Sequence, residues 1–205
     1  CEEELREARG HPWRQRAADR VMASCKTYLE TKLKLKVNEA KSKAGSPLRL
    51  KFLGFSLYKT GRGVGIRPHG KSLEKFKERV RQLTSRKQAR PVPVILERLK
   101  RYTMGWLGYY GLAEMKTRLQ MLNEWLRRRI RQIFWKQWKK PSARYENLKR
   151  LGIEKGKARE WANSRLGYWR VAGSWILSRS LTNEYLASIG YDDIAKRYEV
   201  LHSSY

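Results

Sequence analysis

Acidic residues are scarce in this chain. Against 47 lysines and arginines stand only 19 aspartates and glutamates, a formal charge of +28. The pI is about 10.5. A folded body so unbalanced repels itself unless a polyanion neutralises it, and nucleic acid is the polyanion that fits. Cysteine is almost missing. Cys1 and Cys25 cannot build a disulfide framework, so a reducing compartment is expected, the cytoplasm of a bacterium or the interior of an organelle. His11, His69 and His202 are scattered, without neighbours at metal-ligand spacing, so no metal site and no cofactor is expected in this chain. Long apolar runs are absent too. None approaches the roughly 18 residues of a spanning helix, and the basic residues spread over the whole length, so no membrane partner is expected. No signal-peptide pattern opens the sequence, and there is no internal repeat.

What the chain does have is a long helical period from Met115 to Lys140. Stepping about 100° per residue places Met115, Leu119, Leu122, Leu126, Ile130 and Ile133 on one apolar stripe. Arg127, Arg128, Arg131 and Lys139 fall on another side, with Trp135 and Trp138 among them. One face can bury against neighbouring helices. The other sets guanidinium groups beside indoles, which suits phosphates and unstacked bases. In the alternative the tryptophans pack against the next part of the chain and the arginines are merely solvated.

Upstream, Ala17, Val21, Cys25 and Leu29 predict a helix over 14–34, and Leu35 to Val37 a short strand. Lys51 to Tyr58 is apolar and aromatic and reads as a strand, with Gly54 marking a close backbone approach. Gly61-Arg62-Gly63 turns the chain, and Val64 to Arg67 is the return strand. From Ser72, a plausible N-cap, Leu73, Phe76, Val80 and Leu83 predict a helix made basic by Lys71, Lys75, Lys77, Arg79, Arg81, Arg86 and Lys87. Pro91 and Pro93 break it, and a second helix carries Val94, Leu96, Leu99 and Met104 into Gly105-Trp-Leu-Gly-Tyr-Tyr-Gly111. Beyond Pro141 short helices run from Ser142 to Leu151, from Thr182 to Ala187 and after Gly190. The expected fold is mainly α: a small antiparallel β-hairpin, then a three-helix bundle, then a second small helical unit. The expected divisions are 1–68, 69–140 and 141–205.

Two motifs mislead. Tyr191-Asp192-Asp193 has the letters of a polymerase metal turn, but no apolar strands flank it, and the aspartates suit a helix N-terminus. Gly65-Ile-Arg-Pro-His-Gly-Lys-Ser72 matches the spacing of a phosphate-binding loop. Pro68 stiffens it, and no parallel-strand repertoire surrounds it.

Three stretches together resemble one family. Leu35-Lys-Val-Asn-Glu-Ala-Lys-Ser-Lys43 with Lys51-Phe-Leu-Gly-Phe55 is similar to the last palm segments of group II intron-encoded reverse transcriptases. Tyr102-Thr-Met-Gly-Trp-Leu-Gly-Tyr-Tyr110 and Leu122-Asn-Glu-Trp-Leu-Arg-Arg-Arg-Ile130 resemble their thumb, or maturase, domain. Gly167-Tyr-Trp-Arg170 and Leu181-Thr-Asn-Glu-Tyr-Leu186 resemble their C-terminal DNA-binding segment. Residues 1–13 lie outside the resemblance.

The resemblance implies an RNA-binding maturase that helps intron RNA fold and splice, with target DNA as a further partner. In a full-length parent it implies RNA-directed DNA polymerisation with Mg²⁺. The family's Tyr-x-Asp-Asp centre is not in this sequence, so the chain alone is expected to be inactive as a polymerase and to have no catalytic residue. Lys71, Lys75, Arg79, Arg127, Arg128, Arg131, Lys136, Lys139, Trp135 and Trp138 are the expected nucleic-acid contacts. Phe52, Leu53, Gly54 and Phe55 match the strand that grips a primer end. Two other classes remain: half of a split polymerase whose palm and fingers come as a separate polypeptide, and a basic protein that coats nucleic acid without preference.

Overall fold

The structure, a computed structural model, describes residues 12–61, 63–85, 87 and 89–203. Cys1, His11, Arg62 and Arg86 lie outside the described residues. The chain divides into two compact units, residues 1–69 and 70–205.

The first unit holds helix α1 (Pro12–Thr31) and two antiparallel strands, β1 (Phe55–Thr60) and β2 (Gly63–Pro68). Leu35 to Val37 form no strand. The stretch read as one strand from Lys51 is cut by a tight turn: Phe52 and Phe55 exchange backbone hydrogen bonds of 3.1 and 2.8 Å. Leu53 and Gly54 between them have φ of 47° and 86°. Gly54 is therefore a turn residue suited to its left-handed backbone, and the His69 N–H approaches it closely, donating to its carbonyl at 2.9 Å. The return strand falls where expected, with Leu57 opposite Ile66 and Tyr58 opposite Gly65. A Cβ at Gly65 would meet the Tyr58 ring at 2.7 Å, so the ring covers that backbone. Because Gly65 to Pro68 are paired strand, they form no phosphate-cradling loop.

The second unit is helical. Its elements are α2 (Gly70–Leu83), α3 (Val92–Tyr110), α4 (Lys116–Gln137), α5 (Pro141–Arg150), α6 (Lys155–Ala162), α7 (Tyr168–Ala172), α8 (Trp175–Ser180), α9 (Asn183–Ser188) and α10 (Ile194–Ser203). The chain is mainly helical with a small antiparallel hairpin, as its periodicities predict. Helix α2 starts two residues before Ser72, which lies buried in the first turn and is not the cap. Proline stands at the start of α3 and α5, where its missing N–H costs nothing. In α3 the buried line is Val92, Ile95, Leu96, Leu99 and Leu107, whereas Val94 faces outward.

Two apolar clusters hold this unit. One joins Phe76 and Val80 of α2, Ile95 and Leu99 of α3, and the whole predicted stripe of α4 from Met115 to Ile133. Leu186, Tyr191, Ile194 and Tyr198, from beyond Pro141, complete it. The other gathers Trp135 and Trp138 with Leu148, Trp161, Val171, Leu177 and Leu181. Helix α4 is thus buried along two sides, because the segment after Pro141 folds back over it.

Candidate nucleic-acid interface

The run Arg127-Arg128-Arg129-Ile130-Arg131 lies in the middle of α4. Successive residues turn by about 100°, so the four guanidinium groups reach four different neighbours. Arg127 pairs with Asp193 at 3.2 Å. Arg128 donates from Nε and Nη2 to the Trp169 carbonyl, at 3.2 and 2.9 Å. Its guanidinium lies 4.1 Å from the Trp169 ring centroid. Arg129 donates from Nε to Thr84 Oγ1 at 2.6 Å and from Nη2 to the carbonyls of Arg81 and Thr84, at the C-terminal end of α2. A cation there also meets the negative end of the helix dipole. Arg131, 9% exposed, donates to Leu181 O at 3.0 Å and Asn183 Oδ1 at 3.2 Å.

These contacts fix position, but only one removes charge. Carbonyl and amide oxygens orient a guanidinium and leave its unit charge in place. Arg127 alone of the four meets a carboxylate within ion-pair distance among the described residues. Burial, then the Arg127 charge, pushes Arg131 below the ordinary arginine range, while Tyr191 acts in the opposite direction. For Arg129 burial and then Arg81 act in the same downward direction. Arg81 and Arg129 both lie over the half-buried Trp125 ring, at 5.8 and 5.3 Å. Two like charges on one ring, neither paired with a carboxylate among the described residues, make a cationic spot that an anion would relieve.

The sequence-predicted residues separate into three groups. Lys71, Lys75 and Arg79 stand four residues apart on α2, forming one exposed stripe. Arg79 reaches Gln82 Oε1 at 2.9 Å. Lys136 and Lys139 are exposed at the end of α4, Lys136 standing 5.5 Å from the Tyr168 ring. Arg127, Arg128 and Arg131 turn inward and fasten α10, α7 and the α8–α9 junction, so the expectation of a shared outward arginine face is corrected for all three. Trp135 and Trp138 are corrected as well. At 1% and 9% exposure they are core, and neither can take a base between its ring and solvent. Arg144 stacks 4.4 Å over Trp135 and donates to the Trp138 carbonyl at 3.0 Å, closing that corner. Sequence reading missed Arg81, Trp125, Arg129 and Arg144. The i, i+4 spacing of Trp125 and Arg129 was the one available signal.

Phe52 and Leu53 of the first unit are 74% and 67% exposed at the tip of their turn. Asp193 serves the chain as a helix cap, accepting from the backbone N–H of Ala195 and Lys196 at 3.0 Å each. Among the described residues, no group of histidine, cysteine and carboxylate side chains is arranged to hold a metal ion. No described helix is long and apolar enough to cross a membrane.

No curated protein matches the chain significantly. A family model does match, the group II intron maturase-specific domain, over residues 73–152. That span runs from α2 to the turn after α5 and contains Lys75 and Arg79 of the α2 stripe, the Trp125 spot and the arginine run. It ties the chain to the splicing of group II introns and to association with their RNA. Residues 73–152 are a group II intron maturase-specific domain.

Proposed function

We propose that this chain binds intron RNA directly and holds it in a splicing-competent shape. The transesterification chemistry belongs to the RNA, and the protein lowers the cost of bringing phosphates together. The observation that carries this reading is the cationic spot on Trp125: Arg129 is anchored on the Thr84 and Arg81 carbonyls with its charge intact, and Arg81 lies over the same ring. A rigid cation loses little side-chain freedom when a phosphate arrives. The α2 stripe of Lys71, Lys75 and Arg79 and the α4 end at Lys136 and Lys139 supply exposed lysine and arginine for backbone contacts. The C-terminal helices add contacts to RNA or target DNA.

Binding to folded intron RNA should be measured from low to high salt. An interface that neutralises about six phosphates loses roughly 10³-fold in affinity between 50 and 200 mM salt. A flat response overturns the reading. Competition with bulk RNA separates it from indiscriminate coating, which would show no preference for the folded intron.

A second reading is favoured by one observation in the first unit. A single helix and a two-stranded hairpin are marginal alone, and that hairpin presents Phe52 and Leu53 outward on a strained turn, Leu53 having φ of 47°. Such a unit suits docking to a palm and fingers polypeptide, where Phe52 to Phe55 would lie near a primer end. Primer extension by the chain alone should fail, and extension by a palm and fingers fragment should improve when the chain is added.

A further inference from the structure

The stretch from Trp161 to Asn183 contains no aspartate or glutamate, and it carries Arg165, Arg170 and Arg179. All three are exposed, and none forms an ion pair among the described residues. In the same stretch Trp175, the first residue of α8, is 60% exposed. Its ring is not loose. It packs perpendicular to the buried Trp161, with centroids 4.7 Å apart and an interplanar angle of 86°. Trp169 is 37% exposed and rests on the Arg128 guanidinium. An anchored indole open to water, one helical turn before Arg179 in a stretch that holds arginines and no carboxylate, has two needs: a flat apolar partner and a negative charge. An unpaired nucleobase on its phosphate backbone meets both.

We infer that Trp175, with Arg179 one turn on in the same helix, is a stacking site for unpaired bases of a single strand, and that the other cations of this carboxylate-free stretch attract its phosphates. A base in a duplex is already stacked and cannot reach the indole. An anionic lipid surface also combines apolar and negative groups. However, α7 and α8 span five and six residues, too short to lay an amphipathic face in a bilayer. This site rests on the maturase reading for its ligand class, but it is separate from the α2 and α4 cations.

The test uses the whole chain, fluorescently labelled single-stranded RNA and DNA 12-mers free of secondary structure, and a blunt duplex of the same length. Trp175→Ala should weaken single-strand binding about ten-fold, one stacked base being worth 5- to 150-fold. Duplex binding should change less than about two-fold, and Trp175→Phe should retain most of the single-strand affinity. RNA and DNA strands losing affinity alike would mark base stacking; a loss confined to RNA would add a contact to the sugar hydroxyl. An unchanged single-strand affinity, or an equal loss for the duplex, overturns the inference. Trp175-dependent sedimentation with phosphatidylserine vesicles, without single-strand loss, overturns it too. Should Trp175→Ala fail to fold, a 5-iodouracil oligonucleotide crosslinked to the parent chain decides: the crosslink must map to the peptide holding Trp175. A parent chain that binds no RNA at all would refute the proposed function itself, a different result.

Discussion

Arg131 gives the sharpest test of the claim that these arginines are fasteners first. Its guanidinium makes two charged hydrogen bonds, to Leu181 O and Asn183 Oδ1. Each such bond is worth about 1.5–3 kcal/mol, and Leu181, itself fully buried, would be left with an unmet carbonyl. Against that, removing a largely buried cation returns some desolvation energy. Arg131→Met keeps the apolar stem and deletes the charge, and should cost about 3 kcal/mol. For a body of this size 1 kcal/mol moves Tm by about 3–5 °C, so the melting point should fall by roughly 10 °C. Arg131→Lys keeps the charge but loses the forked donor, and should recover at most about half of the loss. Exposed Arg165→Met should stay within about 0.5 kcal/mol of the parent. Urea unfolding followed by circular dichroism measures all three. If Arg131→Met unfolds at the same urea concentration as the parent, the fastener argument fails, and Arg131 returns to the list of outward contacts.

Other consequences follow from single contacts. A Cβ at Gly173 would collide with Cζ, Nε and Nη2 of Arg128, so Gly173→Ala should cost about 1–2 kcal/mol in the parent and almost nothing beside Arg128→Ala, a coupling that a double-mutant cycle reads directly. Burial, then Asp193, holds the Tyr191 phenol above its usual range, while its hydroxyl donates to Asn123 Oδ1. Its ionisation in the unfolded chain begins near pH 10, so the stability it contributes is complete below that pH and is lost above it. Tyr191→Phe should be about 1 kcal/mol less stable at pH 7, with the gap to the parent closing above pH 10 in chemical denaturation. Gly105 and Gly108 sit exposed inside α3 with nothing within 4 Å of an added Cβ. Alanine at each should raise stability by about 0.5–1 kcal/mol; a fall in Tm would show that the helix needs their freedom.

Much of this was legible from periodicity. The α4 stripe, the α2 stripe and the return strand of the hairpin follow from local spacing, and local spacing is what neighbouring residues determine. Asp193 at a helix start follows from the same kind of reasoning. What escaped was non-local. Trp135 and Arg131 look outward on a wheel that contains one helix, yet Leu148, Trp161, Val171 and Leu181 cover that side from up to about fifty residues away. The wheel assigns faces; it does not reveal which polar face a later segment will claim. The left-handed turn at Gly54 escaped for a different reason. A glycine in an aromatic strand signals either a close approach or a left-handed turn, and those two readings share one residue type.

The arginine run shows why burial and function need not compete here. A guanidinium has five N–H donors, and even Arg129, which uses Nε and Nη2 on α2, does not place its Nη1 on any acceptor among the described residues. The donors that bind carbonyls settle the direction of those that remain. A lysine in the same place would have to choose between holding the fold and meeting a phosphate, because its point charge follows whichever partner is closer. Arg129→Lys therefore separates the two roles: stability should fall because the fork on Thr84 is lost, and RNA affinity should fall further than one surface charge warrants, because the charge is no longer fixed. Thermal unfolding and salt-graded RNA binding on the same variant give both numbers. Parent-like affinity in a destabilised variant would mean that Arg129 braces α2 against α4 and takes no part in holding RNA.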